Sequence, residues 1–240
     1  MPMIACECPV CQSPDTKDKR LRASILVQSE HTTLVVDTGP DFRYQMLRAN
    51  VKHLDAILFT HPHKDHIAGL DDVRAFNFFQ QQPMKVFANE MTQEVVIRDF
   101  PYAFYVTRYP GVPEIHLNTI DLKPFTVGDI EVTPVQVWHL KMPVLGFRFG
   151  KFTYITDANN IDESEKQKIW GSEVLVLNTL RKEQHISHYS LSEGIAVAQE
   201  LQVPQTYFTH LSHQMGKHAD VGQELPAGIL LAYDGLVINL

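Results

Sequence analysis

Hydrophobic residues along the chain fall mostly into short runs with the spacing of strands. Residues 24–29 and 32–37 alternate or are β-branched and flank the polar pair Glu30-His31, which predicts a hairpin ending at Asp37. Gly39-Pro40 breaks that strand, and residues 41–49 read as a helix. Residues 55–60 (Asp-Ala-Ile-Leu-Phe-Thr) read as a short buried strand, and residues 67–81 as a helix. Residues 90–106 form a second, aromatic-rich helical stretch with Phe100, Tyr102, Phe104 and Tyr105, and Pro101 predicts a break in it. Residues 130–137 alternate cleanly and lead into Trp138-His139. Residues 144–149 and 152–156 are further strands, the second ending at Asp157, and residues 173–178 are a buried strand. Ser190-x-x-Glu193 is a capping box that opens a helix to about residue 201. Residues 205–209 form a strand ending at His210, and a closing pair of strands is expected around residues 229–239. Strands interleaved with helices predict an α/β fold. No repeat, low-complexity segment or Gly/Ser linker divides the chain, so a single domain over residues 1–240 is expected.

Composition narrows this picture. A chain of 240 residues, 44% of them hydrophobic, can bury a sizeable core without disulfides. The formal net charge of -7 argues against long nucleic acid as a partner. Bound divalent ions would weaken that argument by concentrating positive charge at one spot. The three cysteines, Cys6, Cys8 and Cys11, lie within six residues. An odd number so clustered is no internal disulfide framework and reads as metal ligation in a reducing compartment. No apolar run is long enough to span a membrane, and Met1-Pro2-Met3-Ile4-Ala5 has no basic segment leading into a long apolar one. A cytoplasmic protein without a membrane partner is therefore expected.

The chemistry gathers at strand ends. His61, His139, Asp157 and His210 each fall just after a predicted strand, where loops of α/β folds converge on one rim. In Thr60-His61-Pro62-His63-Lys64-Asp65-His66, a tight loop can point His61 and His63 at one ion and Asp65 and His66 at a neighbour. His139, Asp157 and His210 are candidates for the missing ligands, and a carboxylate such as Asp157 can bridge two ions about 3.5–4 Å apart. A lone histidine is usually a surface or hydrogen-bonded core residue. Four ionisable residues within six positions after a buried strand make that bland reading untenable, and they point to a two-metal site. Asp37 is expected to orient a ligand histidine from behind, since ligating imidazoles donate their other N–H to a carboxylate or carbonyl.

His-x-His-x-Asp-His after a hydrophobic strand resembles the signature of the metallo-β-lactamase superfamily, and His139, Asp157 and His210 match its remaining ligand positions in order. Four segments are similar to one branch: Asp37-Thr-Gly-Pro-Asp-Phe-Arg43, Gly69-Leu-Asp-Asp-Val-Arg74, Cys6-x-Cys8-x-x-Cys11 and Thr209-His210-Leu-Ser-His213. That branch contains the cyclic phosphodiesterase of phosphonate breakdown, which opens 5-phosphoribosyl 1,2-cyclic phosphate, and it neighbours the tRNA 3′-processing endonucleases. The resemblance implies a four-layer αβ/βα sandwich with two divalent ions, zinc or manganese, at one edge of the sheets. His61, His63 and His139 would bind the first ion, Asp65, His66 and His210 the second, and Asp157 would bridge them. It also implies a structural zinc held by Cys6, Cys8, Cys11 and His213, and a homodimer. Members of this branch usually open with a strand and a Gly-rich turn ahead of the cysteines, a segment that residues 1–5 do not contain.

His188 matches the family histidine that contacts the scissile phosphate, which makes it, with Asp65, the expected catalytic residue. Arg181-Lys182 and Lys141 could hold a remote phosphate but read more simply as solvated loop. Likewise the aromatic stretch from Phe100 to Tyr109 could wall a pocket but reads more simply as core. The expected activity is hydrolysis of a small phosphate ester. Three alternatives stand beside it: a thioester or lactam hydrolase, a tRNA-processing nuclease (for which the usual basic arm is not seen), and a non-catalytic metal-binding accessory protein.

Overall fold

A computed structural model describes residues 1–105 and 111–240. Residues 106–110, with Tyr109 of the aromatic stretch, lie outside the described residues. The chain forms two compact units, Arg22–Glu131 and Met1–Leu21 with Val132–Leu240.

The Arg22–Glu131 unit holds a five-stranded sheet in the order β1-β2-β3-β4-β5. β1 (Ile25–Gln28) pairs antiparallel with β2 (Thr33–Val36), as the hairpin pattern predicts. β3 (Ala56–Leu58), β4 (Met84–Ala88) and β5 (Ile115–Thr119) follow in parallel. All of β3 is buried, the expected state of a parallel strand covered on both faces. Val36 pairs with Leu58, so Asp37 and the Thr60-His61 segment leave the sheet at the same edge. Helix α1 (Phe42–Arg48) follows β2 where Gly39-Pro40 breaks the strand.

The expected helix over 67–81 is instead three pieces: α2 (Lys64–Ile67), a 3₁₀ turn (Leu70–Val73) and α3 (Arg74–Gln80). The interruption at Ala68-Gly69 has a packing cause. Gly69 lies so close to the Gly39 carbonyl that a Cβ there would strike its oxygen, and a Cβ on Gly39 would strike the Asp65 carbonyl. The aromatic stretch is α4 (Glu90–Asp99) and a 3₁₀ turn (Pro101–Ala103), broken at Pro101 as expected. Phe100 is buried in the core with Val86, Val96 and Ile57, and Tyr102 and Phe104 pack against it, so they fill the interior.

Near the end of the Arg22–Glu131 unit a short strand, β6 (Phe125–Val127), runs into β7 (Ile130–His139), which crosses the unit boundary. β8 (Met142–Phe149), β9 (Phe152–Ile155), β10 (Val174–Asn178), β11 (Gln205–Thr209) and β12 (Ile229–Leu231) complete a seven-stranded sheet, in the order β12-β11-β10-β9-β8-β7-β6. β9 to β12 run parallel, while β8 is antiparallel to both β7 and β9. β7 therefore runs the same way as β9, β10 and β11. His139, Asp157, Asn178 and His210 consequently emerge at one edge of this sheet. Helices α5 (Glu163–Ile169), α6 (Leu191–Leu201) and α7 (His218–Glu224) connect the strands. α6 opens on the Ser190/Glu193 capping box read from the sequence.

The closing pair of strands expected over 229–239 is a correction. β12 spans Ile229–Leu231 alone, and residues 232–240 form no strand. Asp234 and Gly235 turn the chain, and the Asp234 carboxylate accepts the Leu21 N–H. Among the described residues, no helix is long and apolar enough to cross a membrane.

Candidate active site

In the Arg22–Glu131 unit the donors sit on the loop after β3 and on the single turn of α2. His61 and His66 are buried, Asp65 is partly exposed and His63 is exposed. Their positions follow from one carboxylate. Asp37, fully buried, accepts the Thr60 N–H at 2.9 Å and the Thr60 hydroxyl at 2.8 Å. Its Oδ2 also stands 2.7 Å from His66 Nδ1. Because the Thr60 hydroxyl donates to Asp37, its lone pair receives the Nδ1–H of His61, 2.9 Å away. Both imidazoles thus carry their proton on Nδ1 and present Nε2 as the basic nitrogen. Burial pushes the Asp37 carboxyl above the usual carboxylate range, opposed by His66 and Thr60.

The backbone supports the same arrangement. Thr38 N–H donates to the His66 carbonyl at 2.7 Å, and Gly69 N–H donates to the Thr38 carbonyl at 2.8 Å. The contact that glycine alone permits at positions 39 and 69 therefore clamps Asp37 against the turn that carries Asp65 and His66. His61 Nε2 and His63 Nδ1 are 3.1 Å apart. Two imidazoles on one ion with metal–nitrogen bonds of about 2.0–2.1 Å place their nitrogens at roughly that spacing.

In the other unit four side chains arrive from separate strand ends. His139 Nδ1 donates to the Ser187 carbonyl at 2.8 Å, so it too presents Nε2. Asp157 and His210 have left-handed backbone, with φ of 54° and 56°, where the chain turns sharply off its strand. Asp157 Oδ1 accepts the Thr156 hydroxyl at 2.7 Å and lies 3.2 Å from His210 Nε2. Asn178, buried at the end of β10, accepts the Ala158 N–H at 2.7 Å and donates to the Ala158 carbonyl at 2.9 Å, fixing the residue after Asp157. His188 ring atoms fall among these groups. Its centroid is 4.5 Å from that of His139 and 4.9 Å from that of His210, and His185 stands 5.2 Å away on its own loop. One donor atom each from His139, Asp157 and His188 lie within 4.8 Å of one another. Burial lowers the His188 pKa to about 3 despite the pull of Asp157, and His210 and His139 add to the lowering, so the ring is neutral.

The cysteine cluster is assembled in the same unit. One atom each from Cys6, Cys8, Cys11 and His213 lie within 4.8 Å of one another. His213 Nδ1 is 3.3 Å from Cys6 Sγ and 3.4 Å from Cys8 Sγ. The Met3 N–H points at Cys11 Sγ and the Cys11 N–H at Cys8 Sγ. The Cys11 backbone N–H, with His213, brings the Cys8 thiol down to about 6. Three sulfurs and one imidazole are a donor set that a structural zinc can take. The neutral imidazoles and carboxylates of the strand-end donors suit zinc or manganese.

Arg181 donates to the Glu183 and Gln184 carbonyls and to the Gln214 side chain, which makes it a brace for its own loop. Lys182 pairs with Glu224. Sequence reasoning does not single out Thr60 or Asn178. The signal for both was present: a polar residue closing an otherwise apolar strand.

A family model for the beta-lactamase superfamily domain matches residues 32–211. A crystal structure of a new diphosphatase from the PhnP family superposes with a TM-score of 0.92 at 36% identity, covering 100% of this chain and 92% of that one. Zinc-bound PqqB from Methylobacterium extorquens superposes with a TM-score of 0.75 at 20% identity, covering 100% and 95%. An octanoyltransferase of Porphyromonas gingivalis is 34% identical over 98% of this chain but only 48% of its own length. The chain spans about half the length of the curated relatives it matches.

Proposed function

Since the chain belongs to the metallo-β-lactamase superfamily, in its PhnP-like branch, we propose that it is a two-metal hydrolase of small phosphate esters. Its two units act as one domain, a reading supported by a family match that runs through both. The observation that carries the proposal is the way the imidazoles are held. His61, His66 and His139 each have Nδ1 occupied by an oxygen acceptor, so each offers Nε2 to an ion.

His61, His63 and His139 would hold one ion, Asp65, His66 and His210 the other, and Asp157 would contribute to both. Bound there, two divalent ions would supply a water of near-neutral pKa and take up charge on the phosphoryl group. Asp65, one-third exposed, orients the attacking water by accepting one of its hydrogens. His188, neutral and buried, donates a ring N–H to a phosphoryl oxygen. Asp37 holds His66 and, through Thr60, His61. Cys6, Cys8, Cys11 and His213 would hold a structural zinc, which would fasten the N-terminal segment to the loop following His210.

The similarity to a diphosphatase favours a second reading on the same parts, in which the bond cleaved is a phosphoanhydride. The acyl-transfer name belongs to a protein of which this chain matches 48%, and all three thiols of this chain are gathered around His213. The test is metal content measured beside turnover of cyclic and linear phosphodiesters and of diphosphates, with zinc- and manganese-loaded protein. We expect about three ions per chain and turnover of at least one class. In His188→Ala, turnover should fall by about 10²–10⁴-fold with metal content unchanged. No turnover on any phosphate ester or anhydride in either metal form overturns the proposal.

A further inference from the structure

Two aliphatic side chains stand in solvent beside the His139/His188 group. Leu140 is 53% exposed and Ile186 is 74% exposed. Single exposed aliphatics are ordinary on a protein surface. This pair is set apart by where its backbone lies. Leu140 follows His139 directly, and Ile186 lies between His185 and His188. The two loops are laced side by side. His139 Nδ1 donates to the Ser187 carbonyl, Leu140 N–H donates to Asn159 Oδ1 at 2.8 Å, and Asn159 Nδ2 donates to the Ile186 carbonyl at 3.2 Å. One carboxamide, two residues after Asp157, therefore ties the backbones of Leu140 and Ile186 together beside His139 and His188.

The backbone of Leu140 adds a second argument. Its neighbours His139 and Met142 pair across β7 and β8, so Leu140-Lys141 is a two-residue hairpin turn. Leu140 has φ of 59° at the first turn position. Turns of this kind take glycine or asparagine there, because a Cβ is disfavoured at positive φ. A branched aliphatic residue kept in that conformation, and kept in water, contributes nothing to folding that glycine would not do better.

We infer that Leu140 and Ile186 form an apolar rim that receives an alkyl or aryl substituent of the phosphate ester, a specificity element resting on the phosphoryl-hydrolase reading above. The preferred substrate then carries an apolar group on the side of the phosphate facing His139 and His188. A bare sugar phosphate would leave the rim unused.

The probes are methyl-, butyl- and hexylphosphonate, titrated calorimetrically into the zinc-loaded full chain, beside turnover of matching alkyl 4-nitrophenyl phosphodiesters. Affinity should rise with chain length, by up to about fourfold for each methylene covered by the rim. The hexyl-to-methyl ratio should fall several-fold in both Leu140→Gly and Ile186→Ser. Leu140→Gly relieves the positive φ, and Ile186 is largely in water, so neither change threatens folding. Equal affinity across the series, or a ratio unchanged in both variants, overturns the rim. The two readings fail separately. Length-dependent binding without turnover of any phosphodiester keeps the rim and removes the phosphodiesterase, whereas turnover with a flat series removes the rim.

Discussion

The two groups of donors are built on opposite plans. In the Arg22–Glu131 unit, four donors lie within six residues, and their geometry hangs on one buried carboxylate, Asp37, and on two glycines that let backbones touch. In the other unit, His139, Asp157, His188 and His210 are separated by up to 71 positions of chain numbering and are held by backbone register and by scattered amides and carbonyls. A compact plan concentrates risk in one supporting residue. A distributed plan spreads it over many weak constraints, none decisive.

Replacing Asp37 by alanine tests the first half of that contrast most severely. It would leave the Thr60 N–H and hydroxyl and the His66 Nδ1–H without their buried acceptor. Loss of a partner to a ligating histidine commonly costs 10–100-fold in metal affinity, and each buried donor left without its acceptor costs about 1–3 kcal/mol. Equilibrium metal titration and denaturant unfolding should both register the change. An Asp37→Ala protein with wild-type metal affinity would break the contrast outright.

The matching change in the distributed half is Asn178→Ala. It orphans the Ala158 N–H, while the Ala158 carbonyl keeps the Tyr189 N–H as a donor. The expected loss is about 1–3 kcal/mol of stability, with a smaller effect on metal affinity than at Asp37. Denaturant unfolding followed by metal titration measures both. A fall in metal affinity equal to that of Asp37→Ala would show that the distributed half also has a single keystone.

The smallest effect lies farther from the donors, in the strap formed by residues 15–20. Buried Asp18 accepts the His218 N–H, and Arg20 donates to His218 Nδ1 at 2.8 Å and to the Ala232 carbonyl at 3.0 Å. Since arginine only donates, His218 is neutral here. Its pKa lies below the ordinary 6.5, mainly through burial and then through Arg20 and Lys17, against the opposing pull of Asp15 and Asp18. The unfolded chain then binds the proton more readily. This contribution to stability is present above about pH 6.5 and is lost as pH falls below that value. Thermal melts at pH 7.5 and 5.5 should show a larger drop for the wild type than for His218→Asn, whose amide oxygen can still accept from Arg20. Equal drops would mean that the strap does not feel His218.

The same contrast governs what could be read in advance. The compact half was legible because the ligand run, the strand before it and Asp37 are all local patterns. The helix expected over 67–81 was misjudged because its break comes from the close approach of Gly39 and Gly69, a contact between separate segments that periodicity does not register. The strands β4 and β5 went unread because a short parallel strand has little alternation to show, and its hydrogen-bond partners lie far away in sequence. The two strands expected over 229–239 shrank to β12 because an apolar run without a neighbour to pair with is no strand.

By itself the sequence determined the kinds of donor and the spacing of His61, His63, Asp65 and His66, because chain order is covalent. It also determined that three thiols would cluster, for they lie within six residues. Which nitrogen each imidazole presents was decided by tertiary structure alone. A ring's proton goes to whichever nitrogen finds an acceptor, and those acceptors are Asp37 for His66 and the Ser187 carbonyl for His139, 29 and 48 residues away along the chain. The partner of the thiols was decided in the same way, since His213 comes beside Cys6 and Cys8 only when the loop after β11 folds back onto the N-terminal segment.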